Sequence, residues 1–209
     1  MDTISSAIMY FQKGGFVMYI LLVCSIFVVQ IAVERWMYFS SADAGRTFAE
    51  SFAILAGAGR WGDAIATAKS SRGELPRLIT AAAERIRMGD DRISTFLEVQ
   101  SGIVLARFRR RLYYLSVIVT AAPLFGLLGT ISGMISAFSV FNVESGHATA
   151  ITGGVGEALI ATAFGLCVAI VALLVHSYFT QRMDSIITDM EQCLSLVEGS
   201  ADAIKGVAL

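Results

Sequence analysis

Charge is what this chain has least of. Asp, Glu, Lys and Arg make up 16% of its 209 residues against 56% hydrophobic ones, and the mean hydropathy is +0.68. That balance excludes an ordinary soluble globular domain. A net charge of −1 offers no basic footprint for nucleic acid. Cysteine is scarce and odd in number, and Cys24 and Cys167 fall inside apolar runs. Neither a disulfide framework nor a metal-ligand spacing follows, so the cysteines read as small core residues and no cofactor is expected. Proline occurs only at Pro76 and Pro123, which leaves helices free to run long.

What is present is apolar length. Residues 16–33 carry no charge and span about 27 Å as a helix, sufficient for the hydrocarbon core of a bilayer. Gln30 is the strongly polar member of that run, and Trp36 and Tyr38 follow it where an interfacial aromatic belt belongs. A cleaved signal peptide would have a shorter apolar region with its positive charge ahead of it, so this run reads as an uncleaved anchor. Residues 112–141 form a second charge-free run, and 151–179 a third whose one carboxylate is Glu157. The expected class is an all-α integral membrane protein with three spanning helices and long cytoplasmic helical extensions.

The expected order is an extracytoplasmic N-terminus at 1–15, spanning helices at 16–39, 112–141 and 151–180, a cytoplasmic helical region at 40–111, an outer turn at 142–150 and a cytoplasmic tail at 181–209. Orientation comes from charge. Residues 40–111 hold 12 of the 16 basic residues and 142–150 hold none, which puts the former in the cytoplasm and the N-terminus outside. Within 40–111, Leu75, Leu78, Ile79, Ala82 and Ile86 recur at helical spacing, as do Ile93, Phe96, Leu97 and Ile103. Gly73 and Gly89 mark breaks, with Asp90 and Asp91 as N-caps for the next helix. This region reads as a helical layer rather than a separate domain. The second spanning helix is expected to protrude or continue down into the basic run 107–111, a membrane-surface anchor with acidic-lipid binding as a secondary role. After Phe179, Met183, Ile186, Ile187, Met190, Leu194 and Val197 describe one apolar seam on a continuing helix.

Glu157 requires a reason, because an acid inside a span is costly and normally faces a bundle interior or a wet cavity on a proton or ion path. An acid near the interface that only reaches headgroups or caps a helix is the competing reading. Counted inward from Phe141 and Ile151, Thr130 and Thr162 both lie 11 residues deep, about 16 Å and near mid-membrane. Gly126, Thr130, Gly133 and Ala137 share one face of the second span. Ala158, Thr162, Gly165, Ala169 and His176 share one face of the third. Such stripes, to which Gly129 adds, permit close helix packing, and they also permit a polar conduit. His176 lies toward the cytoplasmic end, as a pathway exit or an interfacial histidine, and His147 reads as a solvated loop residue. A hydrolase built on Ser132 and His176 is excluded, since the depth count separates them by about 24 Å.

The run Ala122-Pro123-Leu124-Phe125-Gly126-Leu127-Leu128-Gly129-Thr130-Ile131-Ser132-Gly133-Met134, followed by Gly156-Glu157-Ala158-Leu159-Ile160-Ala161-Thr162-Ala163-Phe164-Gly165-Leu166, resembles the paired signature of the MotA/TolQ/ExbB proton-channel family. It is closer to the ExbB and TolQ branch than to the flagellar stators, as are Gly14 to Tyr19 and Glu34-Arg35. The resemblance implies a non-enzymatic inner-membrane subunit that forms a ring, a pentamer, around a single-span ExbD- or TolR-like partner bearing an essential intramembrane aspartate. It implies proton-driven mechanical work, with Thr130, Glu157 and Thr162 at the polar pore positions. Family members often carry proline where this chain has Ile20 and Val171. On this reading both threonine hydroxyls hydrogen-bond the partner's carboxylate and stabilise its charged form, while Glu157 tunes that site or holds a subunit seam. The alternative is a passive membrane scaffold without ion conduction.

Overall fold

The computed structural model describes the backbone of residues 15–141 and 148–206, and the side chains of 15–138, 153–156 and 158–206. The expected N-terminal segment, apart from Gly15, lies outside the described residues. So do residues 142–147 of the expected turn, with Glu144 and His147, and the side chain of Glu157.

Among the described residues all regular structure is helical: α1 Gly15–Ala42, α2 Arg46–Gly57, α3 Trp61–Ser70, α4 Glu74–Arg87, α5 Ile93–Arg109, α6 Leu112–Phe141, α7 Ala148–Gly199 and α8 Ala201–Lys205. Three stretches are long and apolar enough to cross a membrane, so this is an all-α, multi-pass membrane protein. At 52 residues, α7 is one unbroken helix, about 78 Å long. Ile20 and Val171 lie inside continuous helix.

The chain divides into two compact units, Met1–Val33 with Arg111–Tyr178 and Glu34–Arg110 with Phe179–Leu209. In the first, Val17 and Leu21 of α1, Ala122 of α6 and Val168 and Ala169 of α7 form the buried core, with Cys24, Ile118, Phe125 and Phe164 packed on it. Cys167, expected in a core, is exposed on this chain. Pro123 sits inside α6 and deprives the Val119 carbonyl of its regular helical donor. The second span does not continue into the basic run. Arg110 has left the helical region (φ −53°, ψ 133°) and Arg111 has φ 70°, so α6 starts afresh at Leu112. A left-handed conformation at a residue with a Cβ costs roughly 1–2 kcal/mol, and here it marks the division between the two units.

The second unit corrects the expectation of a mere layer, for it has a core of its own. From α2 come Phe48 and Phe52, from α3 Trp61 and Ile65, and from α4 Leu78, Ile79, Ala82 and Ile86. The end of α7 supplies Met183, Ile186, Met190, Cys193, Leu194 and Val197. Phe39 meets Phe108 and Phe179 with ring centroids 5.0 and 5.1 Å apart. Beside that cluster the buried Arg35 guanidinium donates to the Arg107 carbonyl at 3.1 Å and pairs with Glu34 at 3.0 Å. It thereby places a cation on the last turn of α5, where the helix dipole is negative. The aspartates are not the N-cap of α5, which is Arg92. Asp90 instead accepts the Arg92 backbone N–H and pairs with Arg85, and these contacts hold its carboxyl below the usual range.

Two positions in this unit give sharp stability tests. Gly73 has φ +130°, and a Cβ there would lie 2.9 Å from the Ala44 backbone nitrogen, whereas one at Gly57 would meet nothing within 4 Å. Gly73→Ala is expected to lower the thermal midpoint by several degrees, a cost of about 1–3 kcal/mol. Gly57→Ala should leave it level or slightly higher. Thermal unfolding of both variants in one detergent checks this, and equal midpoints would contradict it.

Burial raises the pKa of the Asp189 carboxyl, reinforced by Asp43 and Glu50 and opposed by Arg46 and Arg182. A raised folded-state pKa means that the protonated form is favoured. The associated stability is full below the unfolded pKa and is lost as pH rises through the folded one. Asp189→Asn is therefore expected to unfold at a higher temperature than the parent at pH 7 and to match it in strong acid. A lower midpoint at pH 7 would overturn that sign.

Candidate ion pathway

In the first unit α6 and α7 run antiparallel and approach closely along small residues. A Cβ on Gly165 would lie 2.7 Å from the Ala122 carbonyl oxygen, and one on Gly126 would lie 3.0 Å from Thr162 Cα. Further along, a Cβ on Gly129 would lie 2.6 Å from the Ala161 Cβ, one on Gly133 2.9 Å from that of Ala158, and one on Gly154 2.6 Å from that of Ala137. These are five successive levels of one seam, and they bring together Gly126, Gly129, Gly133, Ala158 and Gly165. Ala169 makes none of these five contacts and is buried in the core with Val17 and Leu21. At Gly129 the seam also receives α1, whose Val17 Cβ would be 3.6 Å from an added Cβ. The sequence reading does not assign Gly154, Ala161 or Val17 to the packing stripe, although the spacing of 154, 158, 161 and 165 continues it.

The hydroxyls are placed by this approach. Thr162 Oγ1 donates to the Gly126 carbonyl at 2.8 Å, across the seam, and Thr130 Oγ1 donates to the Leu127 carbonyl at 2.7 Å, within its own helix. Both threonines are half-buried, and their hydroxyls rest on neighbouring carbonyls of α6. Each hydroxyl has one hydrogen. With that hydrogen given to the main chain, the oxygens present only lone pairs, which differs from the expected donation to a carboxylate. His176 is half-buried on α7, at helical spacing from buried Ala169 and Ala172. Glu157 has helical backbone and immediately precedes Ala158, which abuts Gly133.

Residues 71–192 match the family model described as the MotA/TolQ/ExbB proton channel family. The chain belongs to that family. It is 34% identical over 183 residues to the biopolymer transport protein ExbB-like 1 of Synechocystis, covering 83% of this chain and 72% of the other. With the ExbB homolog of Methanothermobacter thermautotrophicus identity is 26% over 183 residues, 87% of this chain and 65% of the relative. With the biopolymer transport protein ExbB of Neisseria gonorrhoeae it is 34% over 106 residues, 47% of each chain. These relatives place the MotA/TolQ/ExbB chain in the ExbB-like branch, and membership supports a proton-channel, energy-transducing transport role.

The seam makes separable demands on volume and on polarity. Gly165→Ala drives a Cβ against a backbone oxygen and is expected to cost about 1–3 kcal/mol. Gly156→Ala, with nothing within 4 Å of the added atom, should cost little. Thr162→Val keeps the shape but loses the interhelical donor, about 0.6 kcal/mol in a membrane bundle. Unfolding by denaturant in mixed micelles ranks the three, and Gly165→Ala no worse than Gly156→Ala would refute the contact.

Proposed function

We propose that this chain is the channel subunit of a proton-motive-force-driven machine in the bacterial inner membrane, with its N-terminus outside and its C-terminus in the cytoplasm. Copies form a ring, a pentamer, around the membrane helix of an ExbD/TolR-like single-span partner that carries an intramembrane aspartate. The observation that carries this reading is the placement of two half-buried threonine hydroxyls on adjacent carbonyls of a charge-free helix. It is supported by membership of a proton-channel family.

The donor geometry refines the mechanism. A carboxylate needs hydrogen-bond donors, and Thr130 and Thr162 have given theirs to Leu127 and Gly126. Their oxygens instead accept from a protonated carboxyl or from a water. The threonine level therefore favours the partner's aspartate in its neutral form, and ionisation occurs where donors or bulk water are available. Glu157, the one carboxylate of the three apolar runs, tunes that exchange or holds a subunit seam. His176 stands at the cytoplasmic exit. The seam contacts and the Thr162 hydrogen bond lie within one chain, which is the observation that favours the passive-scaffold reading.

Proton uptake by liposomes holding the chain with its partner separates the two. Thr162→Ser keeps an acceptor oxygen and should conduct, whereas the Glu157→Ala, Thr162→Val pair should lose flux by at least tenfold. Full flux in that double variant, with complexes intact on native mass spectrometry, would refute the roles given to Glu157 and Thr162, and a parent complex that takes up no more protons than protein-free liposomes would leave only the scaffold.

A further inference from the structure

A second feature of the first unit lies away from the seam. Between α1 and α6 runs a cleft of about 540 Å³, lined by Val23, Cys24, Phe27 and Ile31 on one side and by Val117 and Ile118 on the other. Its polar lining is confined to Gln30, Arg111 and Tyr114. Gln30 lies toward the end of the first apolar run, Arg111 immediately precedes α6 and Tyr114 is in its first turn. Val23 and Ile118 are each seven residues further into their helices, about 10 Å deeper. The cleft is therefore polar and cationic at its membrane-surface end and apolar below. Phe27 and Val117 remain 52% and 42% exposed along it.

We propose that this cleft binds an anionic phospholipid, with the phosphodiester beside Arg111, Gln30 and Tyr114 and one acyl chain lying on Phe27, Val23 and Ile118. Three considerations fix the occupant. The cleft lies between two membrane spans, where water is no stable filling for an apolar wall and contact atoms must come from lipid or protein. Arg111 gives the surface end of the cleft a positive charge, and Arg109 and Arg110 precede it in the chain, so charge complementarity favours an anionic occupant over a neutral one. A spanning helix of a second copy does not supply one at that level, because the one carboxylate within the apolar runs, Glu157, lies toward the opposite ends of the helices. A phospholipid brings both halves at once, an anionic head and a chain that follows the groove inward. The inference is independent of ion conduction and stands or falls apart from it.

The test uses the full chain in mild detergent, titrated with phosphatidylglycerol or phosphatidylcholine and read by native mass spectrometry. A phosphatidylglycerol carrying a diazirine on its acyl chain maps the contact by cross-linking. The parent is expected to prefer phosphatidylglycerol about fivefold, the factor one arginine at an anionic surface supplies. Arg111→Gln should abolish the preference and Arg111→Lys should retain it, both at the parent's thermal midpoint. Ile118→Trp, which fills the groove, should remove cross-links from the 23–31 and 114–118 peptides. Equal affinity for the two lipids in the parent, an unchanged preference in Arg111→Gln, or cross-links confined to other helices would overturn the site. So would disulfide capture of Cys24 against a second copy of the chain.

Discussion

The structure depends on how closely α6 can approach α7. In lipid the hydrophobic effect gives no reason for one apolar helix to prefer another over an acyl chain, so association rests on dispersion at short range and on polar bonds. Five levels of glycine and alanine provide that range, from Ala122 against Gly165 to Ala137 against Gly154. The same bareness exposes the Gly126 carbonyl, which a larger side chain would cover, and Thr162 donates to it. Packing and polarity are thus one feature: the residues that let the helices close also leave main-chain oxygen accessible within a charge-free helix.

Along α7 the rule changes while the period does not. From Gly154 through Ala158 and Ala161 to Gly165 the face against α6 is made of small residues. From Met183 through Ile186, Met190, Leu194 and Val197 it is made of large ones, mostly buried in the second unit. Where water is the solvent, burying apolar area is itself stabilising, at about 25 cal/mol per Å². Big side chains are then favoured over close backbones. Cys193 belongs to this second face, and burial, with Asp189 nearby, pushes its thiol pKa up to about 12. It is a packing residue without thiolate reactivity.

Much of this was legible in the sequence because the bilayer restricts what an uncharged run can be. Runs of 18 and 30 residues without a charge leave a spanning helix as the economical choice, and the glycine stripes follow from a 100° step. Three things were not legible. Nothing in the arginine run announces a left-handed residue at Arg111, because that conformation is usually signalled by glycine or asparagine. The second unit's core is assembled from Phe39, Phe52, Ile79, Phe108 and Met190, positions far apart in the chain, and periodicity reveals a buried face without naming its partner. Asp90 stands where a helix-start acid was expected, yet it serves Arg92 and Arg85 rather than the helix itself. The side chain of Glu157, and Glu144 and His147 of the expected outer turn, belong to the sequence reading alone.

The direction of a hydroxyl hydrogen is the finest detail, and in the proposed pathway it decides the most. Had Thr130 and Thr162 been free to donate, the mid-membrane level would favour an ionised partner and hold it as a trap. Because each donates to a carbonyl instead, the level offers acceptors to whatever passes. Acceptors stabilise the neutral acid and raise its pKa, in the same direction as the surrounding low dielectric. On the proposed reading the two effects act in the same direction, and a partner's aspartate at this level would retain its proton until it reached donors nearer one membrane surface. That agreement is the condition for a carboxyl to carry protons through an apolar channel, such as the proposed ring, without leaving a bare charge in it.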